Sequence, residues 1–283
     1  MKKIEDRAEE EKIRAYLKDY VGYYCKAMEM INIPVDRRAL EELINEISIE
    51  INEEAGTTGT FEVSQVNKFF HVRKNNFEKN GTKRNNFLML HEMTHLSNAY
   101  NKEMSEQLNE SVRAFNEYSS IQNNEDLSGI DAAYGLISID EVLAQWCCEK
   151  CNSAISGNTV DKHDEVHTIL GNEVKVVTDF SEHDVYAPLE EHVEDFAISL
   201  GYKNLDDFAR ALIIGEISLF DYINEQNIEQ LGYIGILCQG IYQENGFRDC
   251  GLPSTDIPKA VEYLKGRKQD VSFPTDPGDD GNR

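Results

Sequence analysis

The sequence predicts an α+β fold that is predominantly helical and contains a small β element. Over most of the chain, apolar residues recur at spacings of three and four, which places them on one face of a helix. Residues 59–73 differ, because they hold short runs rich in Phe and Val that are typical of strands. With 283 residues, of which 40% are hydrophobic, the chain can bury one large core or two smaller ones.

Two helices are predicted at the start of the chain, before the strand-like region. Apolar residues from Ile13 to Val21 share one face of the first helix. The second helix is expected to begin after Asp36 and to end at Gly56. The strand-like runs that follow predict a small hairpin or the edge of a sheet, and they lie at 60–63 and 69–72.

The rest of the chain is predicted to be helical, apart from one loop-rich stretch. Helical segments are expected at 85–100, around 108–115, from Ser138 onwards, at 189–200 and at 205–214, with two or three more reaching Gly266. Residues 154–185 are predicted as loop around one strand-like run at 174–177. Gly201 is the expected C-terminal cap of the helix that precedes it.

These elements divide the chain into three parts. Residues 1–56 are expected to hold the N-terminal helices, and residues 57–266 the main domain with a helical C-terminal part. Residues 267–283 are polar and rich in Pro and Gly. Such a composition buries too little apolar surface to fold, so we expect a disordered tail.

The charge of the chain argues against two broad classes of partner. The chain has 28 Lys and Arg against 52 Asp and Glu, which gives a formal net charge of −24. A protein this acidic repels nucleic acids and anionic membrane surfaces, and favours basic substrates. The apolar runs are also far shorter than the roughly 20 residues of a membrane span. We therefore expect neither nucleic-acid binding nor a membrane span.

The cysteines and the N-terminal segment bear on the cellular compartment. Six cysteines in a chain of this length are expected to be reduced thiols, because disulfide frameworks belong mainly to small secreted domains. The first ten residues alternate in charge and lack the apolar stretch of a secretory signal peptide. Both observations favour a cytoplasmic protein, with non-classical export or delivery as an effector as the alternative.

One short pattern, His-Glu-x-x-His, carries the most specific chemical information in the sequence. It comprises His91, Glu92 and His95 on a segment predicted as helix, so the two histidines share one helix face. Two imidazoles at this spacing can bind one tetrahedral Zn²⁺. Glu92 lies one position further round the helix. There its carboxylate can take a proton from the attacking water and pass it to a leaving amine, while zinc polarises the carbonyl.

Two histidines leave a catalytic zinc site one protein ligand short. The metzincin pattern, with a third histidine six residues on, is absent after His95, so the ligand must come from further along the chain. The best candidate is Glu141, in an otherwise apolar stretch. A helix cap is the alternative, because Ser138 to Glu141 also forms a capping box in which Glu141 would bond only the amide of Ser138.

Taken together, residues 88–151 resemble the catalytic domain of the anthrax lethal-factor-like metallopeptidases, a gluzincin group. The resemblance rests on His-Glu-x-x-His followed by Tyr134-Gly, and on Glu141-x-x-Ala. It implies a zincin-like fold and a zinc-dependent metalloendopeptidase that acts on a protein or peptide. It also implies that Glu141 completes the zinc site and that Tyr134 donates a hydrogen bond to the oxyanion.

Two features depart from this family. Its members are typically secreted, whereas the N-terminus here does not resemble a signal peptide. In related gluzincins the residue four positions after the ligand Glu is often acidic and orients a ligand histidine, but here it is Gln145. An amide can accept the same hydrogen bond but brings no charge, which predicts weaker zinc binding or activity.

Two downstream residues are alternatives to Tyr134. His183 and Tyr186 follow Glu141 in the chain, where many gluzincins place a residue that contacts the substrate or the oxyanion. Either side chain could therefore replace Tyr134 in that role.

Two further pairs of metal-binding residue types are interpreted as structural. His163 and His167 repeat the spacing of a metal-binding pair, but they are expected in a solvated polar segment. Cys148 and Cys151 form a single C-x-x-C, which favours thiols on a helix face over a redox or zinc site.

Other functions remain compatible with the same residues. A non-catalytic interaction module or inactive paralogue on this scaffold would not need Glu92, whereas a peptidase would. The same chemistry could also serve a regulatory protease that cuts one dedicated partner inside the cell.

Overall fold

The computed structural model describes residues 2–52, 61–64, 68–73, 86–107, 130–155, 165–169, 172–176, 186–223 and 227–245. These residues are predominantly helical with a small β component, which confirms the α+β expectation. The helices are α1 Lys2–Met30, α2 Arg37–Glu46, α3 Asn86–Ser97, α4 Ile130–Ile155, α5 Ala187–Ser199, α6 Leu205–Ile213 and α7 Ile228–Asn245. The strands are β1 Ser48–Asn52, β2 Phe61–Ser64, β3 Phe69–Arg73, β4 Glu165–Ile169 and β5 Asn172–Val176. Residues 99–107 are also helical.

Some expectations concern residues outside these ranges. The helix predicted around 108–115, any helix beyond 245 and the tail at 267–283 lie outside the described residues. Among the helices that are described, none combines the length and the apolar character needed to cross a lipid bilayer.

The second helix begins where the sequence predicts and ends earlier. The Asp36 carboxylate accepts a hydrogen bond from the backbone N–H of Ala39 at 3.0 Å, which caps α2. At the other end, the Arg14 guanidinium donates to the Asn45 and Ile47 carbonyls at 3.2 and 2.9 Å. The prediction that this helix continues to Gly56 is therefore wrong. The reason is visible in the sequence, where isoleucines alternate with polar residues over 47–52, as in a strand.

The first three strands form one sheet in the order β1-β3-β2. β1 runs parallel to β3, with Ile49 opposite Phe70, and β2 runs antiparallel to β3. The side chains of Ile49 and Phe70 are buried. β3 is thus the central strand and not an edge, and within the described part of the sheet its outer edges belong to β1 and β2. Because β1 lies in the N-terminal segment, the pairing joins that segment to the main domain.

A second, two-stranded sheet lies in the stretch predicted mostly as loop. β4 and β5 pair antiparallel, with His167 opposite Val174. The prediction found β5 but missed β4. β4 has only five residues, and a strand this short in an isolated hairpin shows too little alternation to be recognised from its sequence.

The helical core is organised around α4, which contacts α1, α3, α5, α6 and α7. The buried apolar side chains of these helices form one cluster, which includes Leu17, Met93, Val142, Phe196, Phe208 and Ile234. The backbones of α4 and α7 lie very close together at Gly135. A Cβ added there would lie 2.1 Å from the carbonyl oxygen of Leu231 on α7. α4 is therefore held on several sides, which fixes the helix that carries Glu141.

The connection between α5 and α6 confirms a local prediction. Gly201 follows α5 with a φ of +97°, a conformation that glycine adopts without strain. The backbone N–H of Tyr202 then donates to the carbonyl of Ala197 at 3.0 Å, which closes the helix end. The side chain of Asn204 accepts from the N–H of Asp207 and starts α6.

Candidate metal centre

α3 and α4 bring three potential metal ligands together. The Nε2 atoms of His91 and His95 lie 3.0 Å apart, and Glu141 Oε2 lies 2.9 Å from the first and 3.6 Å from the second. Both histidines are buried, and Glu141 is half-buried. The helical expectation for residues 91–95 is thus confirmed, and Glu141 joins the two histidines at one point.

The geometry of this cluster fits a small cation. Bonds of about 2.0–2.1 Å in a tetrahedral site place neighbouring ligand atoms about 3.3 Å apart, close to the separations found here. Two imidazole nitrogens and one carboxylate oxygen offer lone pairs to a common centre. Among the described residues, only His91, His95 and Glu141 bring three such atoms within reach of one metal ion. The protein therefore contains a possible metal-binding triad.

The alternative in which Glu141 is a helix cap does not apply. α4 begins at Ile130, so Ser138 lies well inside the helix and has no free N-terminal amide to offer. The Ser138 hydroxyl instead donates to the carbonyl oxygen of Tyr134 at 2.5 Å. The prediction that this helix begins near Ser138 placed its start too late, and Glu141 is free to face α3.

The three side chains hold one another in particular charge states. Burial lowers the pKa of His91, against the opposing effect of Glu141. Burial alone would also lower the pKa of His95, but the carboxylates of Asp140 and Glu141 raise it well above its ordinary value. Burial would raise the pKa of Glu141, yet the two histidines hold it well below its usual range. Glu141 is therefore a carboxylate at neutral pH, the form that binds cations.

A second carboxylate, which the sequence analysis did not single out, contacts the triad from behind. Asp140 Oδ2 lies 2.7 Å from Nδ1 of His95, on the side of the ring opposite the cluster. The amides of Asn98 and Asn101 donate to the same carboxylate at 3.1 and 2.6 Å. All four side chains are buried. A histidine that binds a metal through Nε2 commonly donates its other N–H to such a carboxylate.

The sequence contains a signal for the two amides that bind this carboxylate. Asn98 lies three residues after His95 and continues the helix face that His91 and His95 share, and Asn101 follows at the same interval. Two amides at these positions in an apolar region indicate a buried polar partner. The identity of that partner, Asp140, depends on how α3 packs against α4.

The residues expected to act beside the metal have distinct positions. Glu92 follows His91 on α3 and is buried, with 9% of its surface exposed. Tyr134 lies two turns before Glu141 on α4 and is 1% exposed. Gln145 is buried one turn after Glu141 and donates to Glu149 Oε1 at 3.1 Å. The catalytic role of Tyr134 and the orienting role of Gln145 stay predictions, while Asp140 lies at hydrogen-bond distance from Nδ1 of His95.

Of the two downstream alternatives, the structure brings one to the cluster. The rings of Tyr186 and His91 are nearly parallel, at 12°, with centroids 6.1 Å apart. Tyr186 is half-buried at the start of α5. His183 lies outside the described residues.

The remaining metal-binding residue types lie elsewhere or lack the required chemistry. His167 is on β4, while His163 is outside the described residues. Cys148 and Cys151 are buried in α4. Burial raises the pKa of Cys151 to about 12 and that of Cys148 well above its ordinary value. Both therefore stay protonated near neutral pH, which does not favour redox or metal chemistry.

Comparisons with protein-family models, curated proteins and solved structures found no match for this chain. The arguments for function consequently rest on the geometry of the cluster and on the chemistry of its side chains.

Proposed function

We propose that this protein is a zinc-dependent metallopeptidase with a zincin-like fold, which hydrolyses peptide bonds in a protein or peptide substrate. The observation that carries the proposal is the convergence of His91, His95 and Glu141 at one point, with Glu92 beside them on α3. Two histidines, one carboxylate and an adjacent Glu are the donor set and the base that such enzymes use. Zinc is the proposed metal because the set combines imidazole nitrogen with carboxylate oxygen.

The proposed mechanism assigns a role to each side chain. When bound, zinc supplies the Lewis acid that activates water and polarises the substrate carbonyl. Glu92 accepts a proton from the attacking water and delivers it to the leaving amine. A tyrosine hydroxyl donates to the oxygen of the carbonyl, where negative charge develops. The family resemblance points to Tyr134 for this donor, and the packing against His91 favours Tyr186.

We propose that the substrate binds in an extended conformation at the edge of the sheet. β2 contacts α3, which carries the histidines, and within the described strands it pairs only with β3. Its other edge can therefore offer backbone hydrogen bonds to a peptide. The net charge of −24 favours a basic segment. We place this reaction in the cytoplasm, since six cysteines in a chain of 283 residues favour reduced thiols over the disulfide framework of a small secreted domain.

The proposal is tested by metal content and cleavage in the same set of variants. Wild type and Glu92→Gln should each carry about one zinc per chain after purification without added metal, and His91→Ala and Glu141→Ala should lose it. Only wild type should cleave a fluorogenic peptide library. His192→Ala, which changes a histidine on α5 that contacts Tyr233, is the matched control and should keep both zinc and activity.

The outcomes separate a peptidase from a non-catalytic module. Zinc that persists in both ligand variants, or its absence from wild type, would remove the proposed site. Zinc that is bound normally together with cleavage that survives in Glu92→Gln would remove the proposed base. A wild type that binds zinc but cleaves no peptide would favour an interaction module on the same scaffold.

A further inference from the structure

The carboxylate of Asp140 is surrounded by hydrogen-bond donors. Its Oδ2 is 2.7 Å from His95 Nδ1 and 2.6 Å from Asn101 Nδ2, and its Oδ1 is 3.1 Å from Asn98 Nδ2. Asp140 is 3% exposed, so water does not compete with these bonds. Both of its oxygens therefore act as acceptors, a requirement that a carboxylate with two oxygens meets and an amide with one oxygen does not.

The orientation of the two amides is itself determined by the backbone. Asn98 lies between α3 and the helical residues 99–107, and its Oδ1 accepts from the N–H of Asn101 at 2.5 Å. This is the arrangement of a helix N-cap. Because the oxygen of Asn98 is used in this way, its Nδ2 is the atom that faces Asp140. The group is thus built from the junction of two helices and from α4.

We infer that Asp140, held by Asn98 and Asn101, is the positioning residue that prepares His95 to bind the metal. Since Asp140 Oδ2 only accepts, the nearby Nδ1 of His95 carries the one proton that the ring keeps when Nε2 binds a metal. The lone pair of Nε2 then points at His91 and Glu141, as a ligand requires. The ring cannot rotate without breaking a buried hydrogen bond. This inference rests on the proposed metal site and extends it to the residue that governs its affinity.

A role of Asp140 behind His95 also explains how the site can lack an acidic side chain at position 145, where this chain has Gln145. In the resembling family an acidic residue four positions after the ligand Glu orients a histidine, and here that position donates a hydrogen bond to Glu149. Asp140 precedes Glu141 directly and approaches His95 from the same helix, α4. The chain thus supplies a charged partner for a ligand histidine from a different position, which predicts ordinary and not weakened metal binding.

The test measures zinc affinity by competition with a chromogenic chelator in wild type and Asp140→Asn. Losing a carboxylate behind a ligand histidine typically costs roughly 10–100-fold in metal affinity, and we expect a loss in that range. Asp206→Asn is the matched control, because it changes a carboxylate on α6 that is bonded to Trp146 and Lys150, outside the cluster. Its zinc affinity should equal that of wild type.

A second readout distinguishes positioning from a merely structural role. ¹⁵N NMR of the histidine rings in the metal-free protein, at a pH high enough for His95 to have lost one of its two ring protons, reports which nitrogen carries the remaining proton. Wild type should show a protonated Nδ1, and Asp140→Asn should lose that preference. If the variant folds and both its zinc affinity and its His95 signal match wild type, the inference is overturned. If Asp140→Asn does not fold, Asn101→Ala decides, with several-fold weaker zinc binding as support and unchanged binding as refutation.

The two proposals fail in different ways. A wild type that binds no zinc removes the proposed function, while the His95 tautomer in the metal-free protein still tests the role of Asp140. A wild type that binds zinc, together with an unchanged Asp140→Asn, removes only the positioning role.

Discussion

The phenol ring of Tyr186 lies nearly parallel to the imidazole ring of His91, with ring centroids 6.1 Å apart and 12° between the planes. Tyr186 is half-buried at the start of α5, whereas Tyr134 is 1% exposed within α4. A side chain that donates to a substrate must be reachable from the substrate's side of the metal. The partial exposure of Tyr186 beside His91 meets this condition better than the near-complete burial of Tyr134.

In the proposed peptidase, removing the hydroxyl of Tyr186 should therefore lower turnover. Tyr186→Phe keeps the ring against His91, so zinc content should not change. Loss of an oxyanion donor typically reduces kcat by roughly 10²–10³-fold, and we expect a loss of that size. Tyr134→Phe is the comparison and should stay near wild-type kcat. Steady-state cleavage of the best library peptide measures both, and the opposite ranking would assign the donor to Tyr134.

The close packing of α4 on α7 gives a prediction about stability. A Cβ at Gly135 would lie 2.1 Å from the carbonyl oxygen of Leu231, and a backbone atom cannot move aside as a side chain can. Gly135→Ala should therefore lower the free energy of unfolding by about 1–3 kcal/mol or more through overpacking. Urea unfolding with a fluorescence readout gives the difference in the free energy of unfolding.

Gly22 on α1 provides the control for this substitution. A Cβ there would meet only the Arg37 guanidinium, at 4.0 Å. Gly22→Ala should stabilise the protein by about 0.5–1 kcal/mol, because alanine loses less backbone freedom than glycine in a helix. If the two substitutions changed the free energy of unfolding equally, the close contact between Gly135 and Leu231 would not be the cause of the destabilisation.

Much of the fold and two of the three residues of the triad could be predicted because their signals are local. His91 and His95 share a helix face through their spacing alone, and the cap at Asp36 and the glycine at Gly201 act within one turn of their helices. For Glu141 the local pattern left two possibilities open. The same short sequence around Glu141 fits a metal ligand and a capping residue. The two roles are distinguished by where α4 begins, which is well before this sequence.

What could not be predicted depends on contacts between distant segments. Asp140 precedes a recognised candidate, but its role exists only because α4 packs against Asn98 and Asn101. The end of α2 was placed too late because the helical spacing of its apolar residues continues to Ile47. There the pattern changes from a period of about four to a period of two, and the pairing of β1 with β3 decides the outcome.

Introducing an acidic residue at Gln145 should not strengthen zinc binding. Its Nε2 donates to Glu149 at 3.1 Å, and the side chain is 1% exposed. Gln145→Glu would replace this hydrogen bond with two carboxylates in contact, and a buried unsatisfied polar group costs about 1–3 kcal/mol, more when it is charged. Chelator competition and urea unfolding measure the two effects. A variant that bound zinc more tightly at undiminished stability would make this position, and not Asp140, the main orienting residue.

The contact between α4 and α6 predicts a pH-dependent contribution to stability. Asp206 accepts from Trp146 Nε1 at 2.7 Å and from Lys150 Nζ at 2.9 Å. Burial alone would raise the pKa of Asp206, but these two partners lower it below its ordinary value. A folded-state pKa below the unfolded one means that the carboxylate stabilises the fold above pH about 4. This contribution is lost as the pH falls through the folded-state pKa.

Asp206→Asn should therefore lower the free energy of unfolding at pH 7, and the difference from wild type should shrink below pH about 4. The side chain of Asp206 is 45% exposed, so solvent screening limits the ion-pair part of the difference to about 1 kcal/mol or less. Urea unfolding of both proteins at pH 7, 5 and 3.5 measures it, with Asp195→Asn on the exposed face of α5 as the control. If the difference in the free energy of unfolding stayed constant from pH 7 to 3.5, protonation of Asp206 would not affect stability. The effect of the substitution would then come from shape and packing and not from charge.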